Sequence, residues 1–199
     1  MDKFTPKTFN IPELAGISAK NIEEHLKLYA GYVKNANSIL EKIPEYRGYE
    51  KEDIFAPYVV SELGRRFSFE YNGMRNHEIY FSSLEGKATP ISDGDLKSAI
   101  EKTFGSFDDF LSNFKTLAAT RGIGWAVLWY DRKDNMLLTS WVDEQHLGQL
   151  NGCEMILALD MWEHAFVYDY STSEKKKYIE AFFANLNWEV IEDNFKKAQ

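Results

Sequence analysis

The chain has 199 residues, 44% of them hydrophobic and 15% aromatic, enough to bury a substantial core in one or two domains. Its formal charge of -8 argues against a nucleic-acid or anionic-membrane partner, either of which would need a basic face. No apolar run approaches the ~18 residues of a membrane span, the start MDKFTPKTFNIPELAG lacks the segments of a signal peptide, and the single cysteine, Cys153, can form no internal disulfide. A cytoplasmic protein with no membrane contact is expected.

After a Pro-punctuated arm, Ser18 can cap a helix that runs to Pro44, with Ile22, Leu26, Tyr29, Val33, Ala36, Leu40 and Ile43 recurring at steps of three and four. His25, Tyr29 and Tyr32 lie on or beside that stripe, where a histidine is usually structural. The polar linker PEYRGYEKED leads to a second helix over residues 58–84, with Phe67, Tyr71, Met74, His77 and Phe81 on one face. The loop EGKATPISDG reads as a boundary, dividing the chain into an N-terminal helical hairpin, residues 1–86, and a C-terminal part, residues 87–199.

In that second part residues 96–103 form a short helix, and Ser106 with Asp109 gives a capping signal for a helix carrying Phe107, Phe110, Leu111 and Phe114. GWAVLWYD and MLLTSWVD, joined by RKDN, read as a β-hairpin, and the run from Cys153 to Leu159 as a third strand that buries an inert thiol. Two helices finish the chain, one starting at Thr172 or Ser173, the other carrying Trp188, Val190, Ile191 and Phe195. The expected fold class is α+β, a long antiparallel helical hairpin followed by an α/β domain with a three-stranded antiparallel sheet.

Chemistry concentrates in CEMILALDMWEHAFVYDY. Asp160 ends the strand, and Trp162, Glu163 and His164 follow where a helix should begin, so that Asp160 and His164 would share a helix face at i and i+4. A carboxylate and a neutral imidazole so placed make half a site for zinc, iron or manganese. A helix-capping Asp beside a core His is the plainer reading. A zinc hydrolase would carry HExxH on a helix, and none is present.

The residues between decide the comparison, because DMWEHAF resembles the DxWEHA signature of the iron/manganese superoxide dismutase family, in which the Asp and His are two of four metal ligands. IEEHLKLYAGYV is similar to the family's first ligand helix, with His25 at the ligand and Tyr32 at the gateway tyrosine. NHEIYF, within FEYNGMRNHEIYFSSL, is similar to the second, with His77 at the ligand. GSFDDFLSNF and ANLNWEVIEDNF extend the resemblance over residues 17–195. It implies an enzyme that converts superoxide to dioxygen and hydrogen peroxide by cycling one Fe or Mn ion per subunit between +2 and +3, held by His25, His77, Asp160 and His164.

The resemblance also implies an outer set of residues. A glutamine that hydrogen-bonds the metal-bound water comes, in the family, either from the second ligand helix, where this chain has Gly73, or from the loop after the hairpin. In that loop DEQHLGQL resembles members that use histidine, which assigns the role to His146 and implies iron, or use of either metal. Trp125 and Trp162 match the aromatic shell. Glu163 matches a carboxylate that pairs with the ligand His164 of the opposite subunit, implying a homodimer or tetramer. The family usually has His where Tyr29 stands and Tyr where Phe166 stands, and these two bond across the dimer; Phe166 can neither donate nor accept. The gateway tyrosine usually follows the ligand by eight residues and here by seven, a difference of about 100° on a regular helix. A non-catalytic relative of the family would be favoured by a missing ligand, and a metal hydrolase or oxygenase by a carved pocket and an added base. All four ligand positions are filled and no added base is evident.

Overall fold

The computed structural model describes residues 2–49 and 51–199, so Glu50 of the expected linker lies outside the described residues. Helix α1, Ala19–Gly48, begins as the sequence predicts, with the Ser18 hydroxyl accepting from Asn21 N at 3.1 Å. It continues past Pro44 to Gly48; a proline this near the end removes one backbone donor and leaves the rest of the ladder intact. Helix α2, Ala56–Ser82, starts two residues earlier than expected, with a proline in its first turn, where a missing N–H is not needed.

The two helices run antiparallel. His25 lies beside His77, and Asn35 bonds Glu70 at 3.3 Å, so partner numbers fall along α2 as they rise along α1. The arm before α1 is strapped across this pair. Asn37 exchanges two 2.8 Å bonds with the backbone of Phe4, Lys7 N donates to the Tyr29 hydroxyl, and Phe9 packs on Tyr29 and Phe81.

Beyond them come α3, Asp95–Phe104, and α4, Phe107–Ala118, the latter capped by Ser106 as predicted. Strands β1, Gly124–Asp131, β2, Met136–Asp143, and β3, Cys153–Asp160, form one antiparallel sheet in the order β2-β1-β3. The central strand β1 is buried from Gly124 to Tyr130, at the heart of the core. Its register sets Trp125 opposite Asp160, bringing an indole and a carboxylate to the same end of the sheet. Helices α5, Lys175–Ala184, and α6, Trp188–Ala198, close the chain. Ser171 and Glu174 cap each other ahead of α5, one residue before the expected start. Among the described residues, no helix is long and apolar enough to cross a membrane.

One expectation needs correction. Asp160 and His164 do not share a helix face, because Asp160 is the last residue of β3 and only a 3-10 turn, Glu163–Ala165, follows. Trp162 is extended, and Asp160 Oδ1 accepts its backbone N–H at 2.8 Å, so one carboxylate oxygen folds the chain back sharply while the other stays free.

Candidate metal centre

Three histidines from three separate elements converge on that second oxygen of Asp160. His25 Nε2 from α1 and His164 Nε2 from the turn each lie 3.1 Å from Asp160 Oδ2, and His77 Nε2 from α2 lies 3.5 Å away. The four donor atoms fall within 4.8 Å of one another. His25, His77 and Asp160 are buried, while 21% of the His164 side chain is exposed.

Whether these groups suit a cation is decided by His77. Its Nδ1 lies 2.5 Å from the carbonyl of Gly73, which can only accept, so Nδ1 carries the proton. Nε2 is therefore a bare lone pair, buried, without a hydrogen-bond partner among the described residues, and facing a carboxylate oxygen. Two lone pairs facing each other away from water repel, and a cation between them turns that repulsion into two bonds.

The charge states agree. Burial drives His77 down to about 3 and also lowers His25, where the bond to Asp160 opposes it. Burial alone would raise Asp160, but the charge and hydrogen bonds of His164 and His25 outweigh it and hold the carboxyl well below its usual range. At neutral pH His25 and His77 are thus uncharged, His77 offers a lone pair and Asp160 offers a charge. A set of imidazoles and one carboxylate suits iron, manganese or zinc better than magnesium or calcium, which prefer all-oxygen shells.

Aromatic side chains wall the cluster. Trp125, fully buried, meets the His77 ring edge-on at 4.9 Å, and Trp162 stacks on His164 at 5.7 Å. Tyr32 packs 5.1 Å from His77 and 6.0 Å from Phe69. The interval of seven between His25 and Tyr32 does not turn the tyrosine away. Seven residues are nearly two full turns, and α1 stays regular throughout, so both side chains come to one face. Gly73 makes room, since a Cβ there would come within 2.6 Å of the Tyr32 ring.

The residue that meets Tyr32 is Gln145, the neighbour of His146. Gln145 is fully buried, its Nε2 donates to the Tyr32 hydroxyl at 3.0 Å, and its Oε1 accepts from Trp125 Nε1 at 3.0 Å. The His146 ring lies 5.6 Å from Phe69, and its Nδ1 has no hydrogen-bond partner among the described residues. The cause of this placement lies one residue earlier. Glu144 takes a left-handed conformation, φ 51°, which reverses the direction of the chain between β2 and Gln145. Its carbonyl accepts from Trp162 Nε1 at 3.0 Å, and the Gln145 carbonyl accepts from Asn76 Nδ2 at 3.0 Å. Reading DEQHLGQL for a histidine overlooked the glutamine beside it. The available signal was Gly73, which leaves the loop as the source of a glutamine.

Burial holds the Tyr32 hydroxyl well above the ordinary phenol range, aided by the charges of Asp160 and Glu70. Tyr29 is not an open end. Its hydroxyl accepts from Lys7 N at 2.9 Å and donates to the buried carboxylate of Glu78 at 3.2 Å. Phe166 is buried against Tyr178, 5.4 Å away, so Tyr29 and Phe166 are both engaged within the chain. Glu163 is exposed beside Val167 and Tyr168, which are 46% and 56% exposed.

The chain is also similar to known proteins. The family description "Iron/manganese superoxide dismutases, C-terminal domain" matches residues 92–194. The chain is 34% identical to an iron superoxide dismutase of Aquifex aeolicus, over 98% of this chain and 92% of that protein. It is 35% identical to a manganese superoxide dismutase of Mycobacterium leprae and 37% identical to one of Nocardia asteroides, each over 87% of this chain and 82% of the relative.

Proposed function

This chain belongs to the iron/manganese superoxide dismutase family, and from that premise we propose how its own residues convert superoxide to dioxygen and hydrogen peroxide. His25, His77, Asp160 and His164 hold one iron or manganese ion. The observation that carries this is the buried, partnerless His77 Nε2 facing Asp160 Oδ2 among four donors within 4.8 Å. Bound there, the ion supplies the one-electron chemistry, alternating between +2 and +3 as one superoxide is oxidised and the next reduced.

The protein's part is charge, access and protons. Asp160 contributes the one formal negative charge of the set, so the loaded centre stays cationic enough to draw an anion while the chain as a whole carries -8. Trp125, Trp162, Phe69 and Tyr32 wall the centre with aromatic rings, which in this reading restricts access to small molecules. Forming hydrogen peroxide consumes two protons, and Tyr32 with Gln145 is the pair that handles them. Because Gln145 Nε2 is the donor in their bond, the Tyr32 O–H remains free to donate toward the centre. Burial keeps that hydroxyl protonated at neutral pH. Gln145, held by Trp125, is the group placed to hydrogen-bond a water at the ion.

With Gln145 in place of His146, the ground for preferring iron or dual use is gone, and the reading is one iron or manganese ion per chain. The assembly we propose is a homodimer, or a tetramer built from it, joined through Glu163 and His164; the exposure of Glu163 next to Val167 and Tyr168 supports it. The division at residue 86 and a cytoplasmic setting complete the reading.

The test is superoxide consumption by metal-free protein reconstituted separately with iron and with manganese, normalised to bound metal. Activity with either ion is expected, and the ratio states the preference. Stoichiometric metal with no activity in both forms would overturn the enzymatic reading.

A further inference from the structure

Asn21 is fully buried on α1, one turn before His25. Its Nδ2 donates to the carbonyl of Ala165 at 3.0 Å and to Asp169 Oδ2 at 3.1 Å. Both partners are acceptors, so the amide cannot be flipped, and its oxygen is the end left over. That oxygen, Asn21 Oδ1, is a buried acceptor with no donor among the described residues. One turn further on, His25 Nδ1 is a buried nitrogen with no partner among the described residues.

The two vacancies are complementary. A histidine that binds a metal through Nε2, the nitrogen His25 turns toward Asp160, must carry its proton on Nδ1, which makes Nδ1 a donor. Residues at i and i+4 are neighbours on one helix face, and a helical side chain leans back over the preceding turn, which carries His25 toward Asn21. We propose that Asn21 is a positioning residue of the metal centre, its amide oxygen accepting the Nδ1–H of His25 when the ion is bound. Its nitrogen at the same time ties α1 to the turn that carries His164, so one side chain orients ligands from two elements. An acceptor on Nδ1 makes the imidazole a stronger donor to the metal and favours the more highly charged ion.

This rests on His25 being a ligand, and its readouts do not depend on superoxide turnover. They are the metal dissociation constant, from competition with a chelator, and the midpoint potential of the iron-loaded protein. Asn21→Leu removes acceptor and donors together, and weakens metal binding by about 10- to 100-fold with a shift to more positive potential. Asp169→Ala removes one anchor of the amide nitrogen, along with a bond from Ser18 N, and leaves Oδ1 in place. It changes affinity by less than about twofold and leaves the potential unmoved. Equal effects from the two variants, or no effect of Asn21→Leu, would overturn the proposal.

Should Asn21→Leu fail to fold, the exchange Asn21→Asp with Asp169→Asn keeps an oxygen at 21 and a hydrogen-bonding partner at 169. A charged acceptor then moves the potential negative, and a positive shift would overturn the proposal. A loaded protein that binds metal tightly yet consumes no superoxide would refute the functional reading and leave this one standing.

Discussion

Replacing Gln145 by Leu, with His146→Leu as its twin, separates two neighbouring residues that the sequence alone confuses. Leucine roughly conserves the volume of glutamine, so the change isolates hydrogen bonding from cavity formation. It strips the acceptor from the fully buried Trp125 N–H, now bonded to Gln145 Oε1 at 3.0 Å, and the donor from the Tyr32 hydroxyl. An orphaned buried donor costs about 1–3 kcal/mol. At roughly 2–4 °C per kcal/mol for a chain of this size, the melting temperature of the metal-free protein falls by about 2–12 °C. His146→Leu orphans no bonded partner, since His146 Nδ1 has none to lose, and its melting temperature moves by less than about 2 °C. Metal-normalised superoxide consumption then drops about 10- to 100-fold in Gln145→Leu, the range for removing a group that orients a metal's surroundings, and less than about threefold in His146→Leu. A His146 variant as damaged as the Gln145 variant, in stability and rate alike, would refute the assignment.

His77→Ala should abolish metal retention, and stoichiometric metal by elemental analysis would count against the ligand set. Gly73→Ala forces a methyl to within 2.6 Å of the Tyr32 ring, so stability falls by about 1–3 kcal/mol and activity with it; an unchanged melting curve would contradict the packing of Tyr32. Stability of the metal-free protein should decline with acid. His77, near 3 when folded and near 6.5 when unfolded, takes up its proton only on unfolding between those values, and His25 is shifted the same way. The unfolded state thus binds more protons, and stability falls by roughly 1–3 kcal/mol per pH unit below about 6.5. The depressed carboxyl of Asp160 adds its own loss only as the pH approaches 4 and below. Urea midpoints that match at about pH 7 and about pH 5 would contradict this. Finally, Glu163→Ala should turn a sedimenting dimer into monomer, and a wild-type protein that already sediments as monomer would remove the dimer from the reading.

Local periodicity carried much of the fold. A stripe at steps of three and four marks α1 and α2 without any knowledge of what they pack on, and the run GWAVLWYD, buried from Gly124 to Tyr130, could only be an interior strand. Regular helical geometry also settles the His25 to Tyr32 interval, because a helix that stays α throughout repeats its face after seven residues. The four side chains that converge were legible through the resemblance of the motifs that carry them. His25 and His77 sit on regular helices, where side-chain direction follows from the helix itself.

Where direction depends on distant contacts, the sequence was silent or misleading. Asp160 to His164 looks like one helical turn, yet Trp162 N–H and the pairing of Asp160 with Trp125 hold it as a strand end and a tight turn. Gln145 and His146 are adjacent in a loop, and nothing in their order says which faces inward. That was decided by the left-handed Glu144, pinned through Trp162 Nε1, and by Asn76 on α2, 69 residues away. The direction of a side chain in a helix is a property of the helix, whereas in a loop it belongs to whatever the loop is tied to. Spacing therefore determined the elements, the resemblance of their motifs pointed to the four side chains that meet, and tertiary contacts alone decided which neighbour stands beside them.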